Sequence, residues 1–229
     1  MKRARRRAGR PRTKMSRGRL VVLEGGEGAG KSTHARFVRD TLAARGRGVV
    51  LTREPGGSAL AEAIRELVLR DWPEGVDGTT ELLLMFAARA AHLHALIRPA
   101  LARGRDVVCD RFVDATYAYQ GAGRGLREAD IDVLARLVLG RLRPDLVIVL
   151  DIDPRAGARR VHGRGASNRF DAEARAFQQR VRQAYLRRAR REPGRYVVVD
   201  AGRAREAVQA DVARALQRLP AGGIPRGRA

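Results

Sequence analysis

Cysteine, asparagine, lysine and long apolar runs are all scarce in this sequence, and each scarcity excludes something. The single cysteine, Cys109, leaves no intrachain disulfide to form. Its place at the end of an apolar run marks a buried strand residue and points to a reducing, cytoplasmic setting. No eighteen consecutive residues are apolar, so no segment is apolar through the thickness of a membrane. The charged N-terminus has no apolar stretch behind it and does not read as a secretory signal. Lysine is confined to Lys2, Lys14 and Lys31, so nearly all of the 47 basic residues are arginine. With so much Ala and Gly beside the arginine, part of the net charge of +22 reflects codon bias of a GC-rich genome.

What is present suits one α/β domain, since 229 residues can bury a sizeable core. Residues 1–19 carry ten positive charges and no acid, and are expected to be a disordered basic tail. An idle extension is the simpler expectation for it, and an arm for nucleic acid or a membrane surface is the alternative. Without it the charge is still about +12, enough to attract polyanions. From Leu20 apolar runs and helical periods alternate. Strands are expected at Leu20–Leu23, Val49–Thr52, within Asp106–Asp110, at Leu146–Leu150 and at Tyr196–Val199. Helices are expected at Lys31–Arg45, Ala59–Leu69, from a Thr79 or Thr80 cap to near Pro99, Glu128–Leu139, Pro154–His162, Asp171–Arg190 and Arg203–Leu216. Five short strands separated by helices indicate a parallel sheet covered on both faces, a three-layer α/β sandwich. The domain is expected to span 20–218, with a lid at about 159–170 and a flexible tail at 219–229.

Gly25-Gly26-Glu27-Gly28-Ala29-Gly30-Lys31-Ser32, followed by Thr33, matches the phosphate-binding loop G-x-x-x-x-G-K-[ST] in full, between a strand and a helix. The glycines let backbone N–H groups turn toward phosphate oxygens, and the helix N-terminus adds partial positive charge. Lys31 neutralises β/γ oxygens, and Ser32 is placed to ligate Mg²⁺. The motif indicates a nucleoside triphosphate without saying which one or what is done with it. Asn168 is the only asparagine and is followed by Arg169, so the N-K-x-D guanine reader of a GTPase is absent.

Four segments follow in order: Thr52-Arg53-Glu54-Pro55-Gly56-Gly57, Phe86-Ala87-Ala88-Arg89, Asp110-Arg111 and Thr116-Tyr117-Ala118-Tyr119-Gln120-Gly121. With the phosphate loop, this series closely resembles bacterial thymidylate kinase, over about Leu20 to Leu216. The resemblance implies a P-loop NTPase-type fold and transfer of a phosphoryl group from ATP to dTMP with Mg²⁺. It makes Phe86 the aromatic that stacks on thymine and Arg89 a donor to a thymine carbonyl. Arg53 and Arg111 would hold the acceptor phosphate, for which the planar guanidinium fork is suited. Glu27 would serve the acceptor's 3′-hydroxyl region and the metal's water shell. Thr116 and Gln120 would meet the base, and Tyr119 would crowd the 2′ position. Asp110 ends a strand where a carboxylate can stand near Mg²⁺ or its water, and Glu54 is expected to orient Arg53 or a metal water. Ala115 departs from the family, which often has serine there.

Some thymidylate kinases carry an arginine inside the phosphate loop. Gly28 holds that position here, so the resemblance implies the subclass that supplies the arginine from a mobile lid. Arg159, Arg160, Arg164 and Arg169 lie in that stretch, and Arg160 and Arg164 are the first candidates for catalysis. His92 and His94 are two apart on a helix and point to different faces, so they make no metal site. The partners expected are dTMP, ATP and a second copy of the chain, without a membrane or nucleic acid. Two rivals stay open: a P-loop kinase for another nucleotide or a nucleoside, and a basic nucleic-acid binder. The second would show salt-sensitive DNA binding that survives Lys31→Ala.

Overall fold

The five apolar runs become five parallel strands; the central three are buried on both faces, and the two edge strands are partly exposed. The computed structural model describes residues 17–162, 170 and 173–219, with His162 placed by its backbone alone. The strands are β1 (Leu20–Glu24), β2 (Val49–Arg53), β3 (Asp106–Asp110), β4 (Leu146–Asp151) and β5 (Tyr196–Asp200), in the order β2-β3-β1-β4-β5. Val22 is level with Cys109 on one side and Val147 on the other. The period of two sends Leu20, Val22, Cys109 and Val147 into one core and Val21, Leu23, Val108 and Ile148 into the other. Helices α1 (Lys31–Ala44) and α9 (Arg205–Ala215) cover the second core with Val38, Leu42, Val208 and Val212. The first is covered by α2 (Ala59–Leu69), α3 (Gly78–His92), α6 (Glu128–Leu139) and α8 (Arg175–Arg191). The chain leaves the C-terminal end of β1 toward β2 and that of the adjacent β4 toward β5, in opposite directions. A crevice opens there, the usual ligand position in such sheets.

Several boundaries differ from the sequence expectation. Arg19, assigned to the tail, belongs to the folded body: its backbone N–H and guanidinium both donate to Asp106, which Arg47 also pairs. Leu219 likewise packs into the second core. The cap of α3 is Asp77, whose Oδ1 accepts from Thr79 N (2.8 Å) and Thr80 N (3.1 Å), because a carboxylate one turn earlier reaches both free N–H groups. Pro99 does not end that helix. A π-turn at Leu93–Ile97, with wider-spaced bonds, absorbs the missing N–H, and the chain runs on as α4 (Arg98–Ala102). The helix expected from Asp171 begins at Arg175. The short α5 (Val113–Thr116) leads into a second π-turn, Tyr117–Gly123, and α7 spans Pro154–His162. Most of the N-terminal tail, the lid centre and residues 220–229 lie outside the described residues.

One described helical stretch, Gly78–Ala102, is long and apolar enough to cross a membrane by length and composition. Its apolar face is that of a core helix: Phe86, Leu93 and Ile97 pack within the first core, and Glu81, Arg89 and His92 are buried along it.

Candidate active site

The phosphate loop fills the crevice between β1 and α1. Gly28 and Gly30 adopt left-handed φ of 72° and 83°. The first turn of α1 has no side-chain cap, so its N–H groups remain available to an anion. Lys31 is buried at the bottom of this turn, and its Nζ donates to Gly26 O at 2.7 Å. Burial and the nearby Arg111 lower its pKa, against the opposite pull of Glu27, Asp110 and Glu24. Ser32 Oγ donates to Asp110 Oδ2 at 2.6 Å, so a hydroxyl and a carboxylate face the hollow together. Ala29 packs into the second core, and Thr33 borders the hollow beside Ser32. A side chain at Gly28 would meet the backbone of Gly157 in α7, and one at Gly157 would meet Glu27 O. That contact is a physical reason for the missing loop arginine: no side chain fits between loop and helix.

Arg111 is the pivot of the site. It follows β3 directly and is the one non-glycine residue with positive φ (68°) among those described. Its guanidinium donates to Gly25 O (3.0 Å), to Tyr185 Oη (3.2 Å) and to Glu27 Oε1. Tyr119 Oη also donates to Glu27 Oε1, at 2.8 Å, and the Arg111 guanidinium lies 4.8 Å from the Tyr119 ring centre. An acid inside the phosphate loop is thus met by a cation, which answers its repulsion toward phosphate. Burial works against the charge on Arg111, but Glu27, Tyr119, Tyr185 and Asp110 hold its pKa well above the usual value. The loop is fixed from below by Arg111 N→Leu23 O (2.9 Å) and Phe112 N→Glu24 Oε1 (2.8 Å). Burial, with Asp114 nearby, pushes the pKa of Glu24 up to about 8.

A hollow beside the phosphate loop is lined by Glu27, Lys31, Ser32, Arg53, Arg65 and Arg111, among others. Three arginines therefore converge from three elements. Arg53 ends β2 and pairs with Glu62 Oε2 at 2.8 Å, not with Glu54 as expected. Glu54 is turned inward instead, where it accepts from Arg89 Nε (2.7 Å) and contacts His92 Nδ1 (3.2 Å). Arg65 of α2 was not singled out from sequence, because nothing local separates it from dozens of other arginines. Its pKa is lowered chiefly by burial and further by the nearby Arg53 and Arg111, against the pull of Glu62 and Asp110.

Adjoining this hollow is a chamber that shares Glu27, Glu54, Arg65 and Arg111 with it and adds Leu69, Met85, Ala115, Tyr119, Gln120 and Phe170. Tyr119 and Gln120 come from the π-turn, a local widening frequent at functional sites. Phe86 does not line the chamber. It is buried in the first core, with the Arg89 guanidinium 5.0 Å from its ring centre, and Met85 faces the chamber in its place. One residue along a helix is a rotation of 100°, so neighbours in sequence face different ways. Arg89 and Thr116 also lie behind the wall: Arg89 Nη1 donates to Thr116 Oγ1 (3.1 Å) and Nη2 to Phe112 O (3.0 Å).

On the lid side, Arg160 donates to Ala201 O (2.9 Å) and Gly202 O (3.5 Å) in the turn after β5. It is not among the residues lining the hollow at Lys31. Arg164 and Arg169 lie outside the described residues. Arg155, not singled out from sequence, borders a third hollow with Gly26, Glu27, Arg175 and Arg182. No cluster of three or more His, Cys, Asp or Glu suited to a metal occurs among the described residues.

A family model described as thymidylate kinase matches residues 23–212. A thymidylate kinase of Chromohalobacter salexigens is 59% identical over 201 residues, covering 87% of this chain and 95% of that protein. One of Pseudomonas putida is 54% identical over 209 residues, covering 91% and 99%. Among solved structures, a thymidylate kinase from Ehrlichia chaffeensis superposes with a TM-score of 0.72 at 31% identity, over 87% of this chain and 99% of that one.

Proposed function

The chain belongs to the thymidylate kinase family, and from that premise we infer how its two hollows divide the reaction between them. The reaction is the phosphorylation of dTMP to dTDP, a step toward dTTP, with ATP as donor. The ATP phosphates lie in the cradle of Gly25, Gly26, Glu27, Gly28, Ala29 and Gly30, with Lys31 against the β/γ oxygens. The acceptor phosphate lies among Arg53, Arg65 and Arg111, whose mutual crowding an anion relieves. The single observation that carries this reading is that Arg111 and Lys31 border one hollow while Arg111 also walls the chamber next to it. The acceptor oxygen is already anionic, so no strong base is needed. In-line placement and charge compensation do the work.

Ser32 Oγ and Asp110 are two hard oxygen donors at the phosphate end, which fits Mg²⁺, an ion that keeps waters and binds through one or two protein oxygens plus phosphates. When bound there it compensates charge on the donor phosphates. The base occupies the chamber, with Met85 as its apolar floor and Gln120 at its edge. Arg89, bound to Glu54, Thr116 and Phe112 O, braces the chamber wall from behind. Tyr119, tied to Glu27, stands by the sugar. Lid arginines complete the charge around the transferring group, with Arg160 and Arg164 retained as candidates and Arg155 added. ADP release measured with dTMP, dUMP, UMP and thymidine tests the assignment. dTMP should be the best acceptor and thymidine, which has no phosphate for the three arginines, should be inactive; equal rates with thymidine would remove the arginine site.

Met85 and Phe86 give opposite signatures. Met85→Ala should raise KM for dTMP several-fold with little change in melting temperature. Phe86→Ala should cost about 3–5 kcal/mol of stability by opening the core, read as a lower midpoint in urea. A Phe86→Ala enzyme of normal stability and poor dTMP binding would restore Phe86 as the stacking residue.

A homodimer and a cytoplasmic setting complete the reading. Neighbouring helices α2, α3 and α6 leave Leu60, Leu67, Leu83, Val133 and Leu137 exposed, an apolar face suited to a second copy. Leu137→Asp should convert a dimer to monomer in sedimentation; a wild-type monomer at micromolar concentration would contradict it.

A further inference from the structure

The carboxamide of Gln120 has a donor end and an acceptor end, and which one faces the chamber decides what it can read. Its Nε2 donates to Glu81 Oε1 at 2.6 Å. Glu81 is fully buried in the first turn of α3, and Gln120 is 1% exposed. Arg124 Nη2 donates to the other Glu81 oxygen at 3.3 Å, so this carboxylate is held on a rigid element and accepts from both neighbours. A carboxylate beside a carboxamide fixes its orientation: the reversed amide would set oxygen against oxygen. The oxygen of Gln120 is therefore turned away from Glu81. That oxygen, Oε1, is buried and has no hydrogen-bond partner, although Gln120 is part of the chamber wall with Met85, Ala115 and Tyr119. A buried acceptor left without a donor is costly unless a ligand supplies one.

We propose that Glu81 is a positioning residue for base selection: it locks the Gln120 carboxamide with its carbonyl oxygen toward the chamber, so that the site accepts pyrimidines carrying an N–H at ring position 3. This rests on the chamber being the base site. Thymine and uracil carry that N–H. Cytosine presents a lone pair there, and two acceptors would face each other. An unrestrained Gln120 could reverse and serve cytosine equally well; the carboxylate behind it removes that option, which is discrimination by a misplaced acceptor rather than by size.

Glu81→Gln tests this, because a glutamine at 81 can meet either end of the Gln120 amide. With dTMP its kcat/KM should fall about tenfold, mainly through KM for dTMP, and KM for ATP should stay unchanged. With dCMP it should hold or rise, so that the dTMP:dCMP preference narrows at least tenfold. A folded Glu81→Gln enzyme that loses both activities in the same proportion, or keeps the wild-type preference, overturns the proposal. If that variant does not fold, the wild-type enzyme bound to dTMP labelled with ¹⁵N at position 3 decides. The imino proton should be visible and protected from exchange, and a freely exchanging one contradicts the assigned orientation. Wild-type enzyme that does not phosphorylate dTMP would instead refute the reading of the whole site, a distinct result.

Discussion

Replacing Lys31 by alanine is expected to lower kcat for dTMP roughly a thousandfold while leaving the fold intact or slightly more stable. The loss follows from position. Lys31 is the one basic side chain of the phosphate loop, and removing one preorganised charge from a phosphate site costs about two to three orders of magnitude. The effect on stability follows from burial. Lys31 is inside the protein, and its pKa is lowered chiefly by desolvation. The folded state therefore binds this proton less well than the unfolded chain, so at neutral pH the charged amine opposes folding, and stability rises with pH through the lowered pKa. Alanine removes that opposition. Initial rates and thermal melts on the same preparation check both halves. An inactive variant with a much lower melting temperature would mean that Lys31 is structural and the rate says nothing about chemistry.

Arg111 gives the second large effect, and the comparison of two substitutions separates its chemistry from its backbone. Arg111→Ala and Arg111→Gly both remove the guanidinium that faces Glu27, Gly25 O and Tyr185. Both should lower kcat/KM for dTMP by roughly a thousandfold, since truncating one partner of a buried, hydrogen-bonded charge pair costs about 2–5 kcal/mol. They should differ in stability. At φ 68° a residue with a Cβ is strained and glycine is not. The glycine variant should therefore be more stable than the alanine variant by about 1 kcal/mol, measured as urea midpoints. Equal stability would show that the backbone relaxes once the guanidinium is gone. Retained affinity for dTMP in either variant would remove Arg111 from the acceptor site.

The sheet and the phosphate loop were legible because their signals are local. Val107–Cys109 and Leu146–Leu150 are apolar runs of strand length, and Gly25–Ser32 is a contiguous motif whose glycines meet the φ values the loop adopts. What stayed hidden depends on rotation about an axis or on distant partners. Met85 and Phe86 are equally apolar and adjacent, and only the packing of α3 on the sheet decides which one meets the chamber. Arg65 lies in a helix of ordinary amphipathic pattern, and its place in the hollow is seen only with Arg53 and Arg111, which arrive from other elements. Glu54 sits next to Arg53 in sequence, yet along an extended chain neighbours point oppositely, and its partners proved to be Arg89 and His92. Gln120 was expected at the base from the resemblance and lines the chamber, but the carboxylate it donates to is 39 residues away. The absence of an arginine at position 28 was read from sequence; its steric cause, Gly157, needed the fold.

The most direct test of the account is a crystal structure of the chain with dTMP and a non-hydrolysable ATP analogue. The acceptor phosphate should lie among Arg53, Arg65 and Arg111, with the terminal donor phosphate against Lys31 and the thymine over Met85. A dTMP molecule bound away from the chamber, or one whose phosphate points away from Arg111, would contradict it.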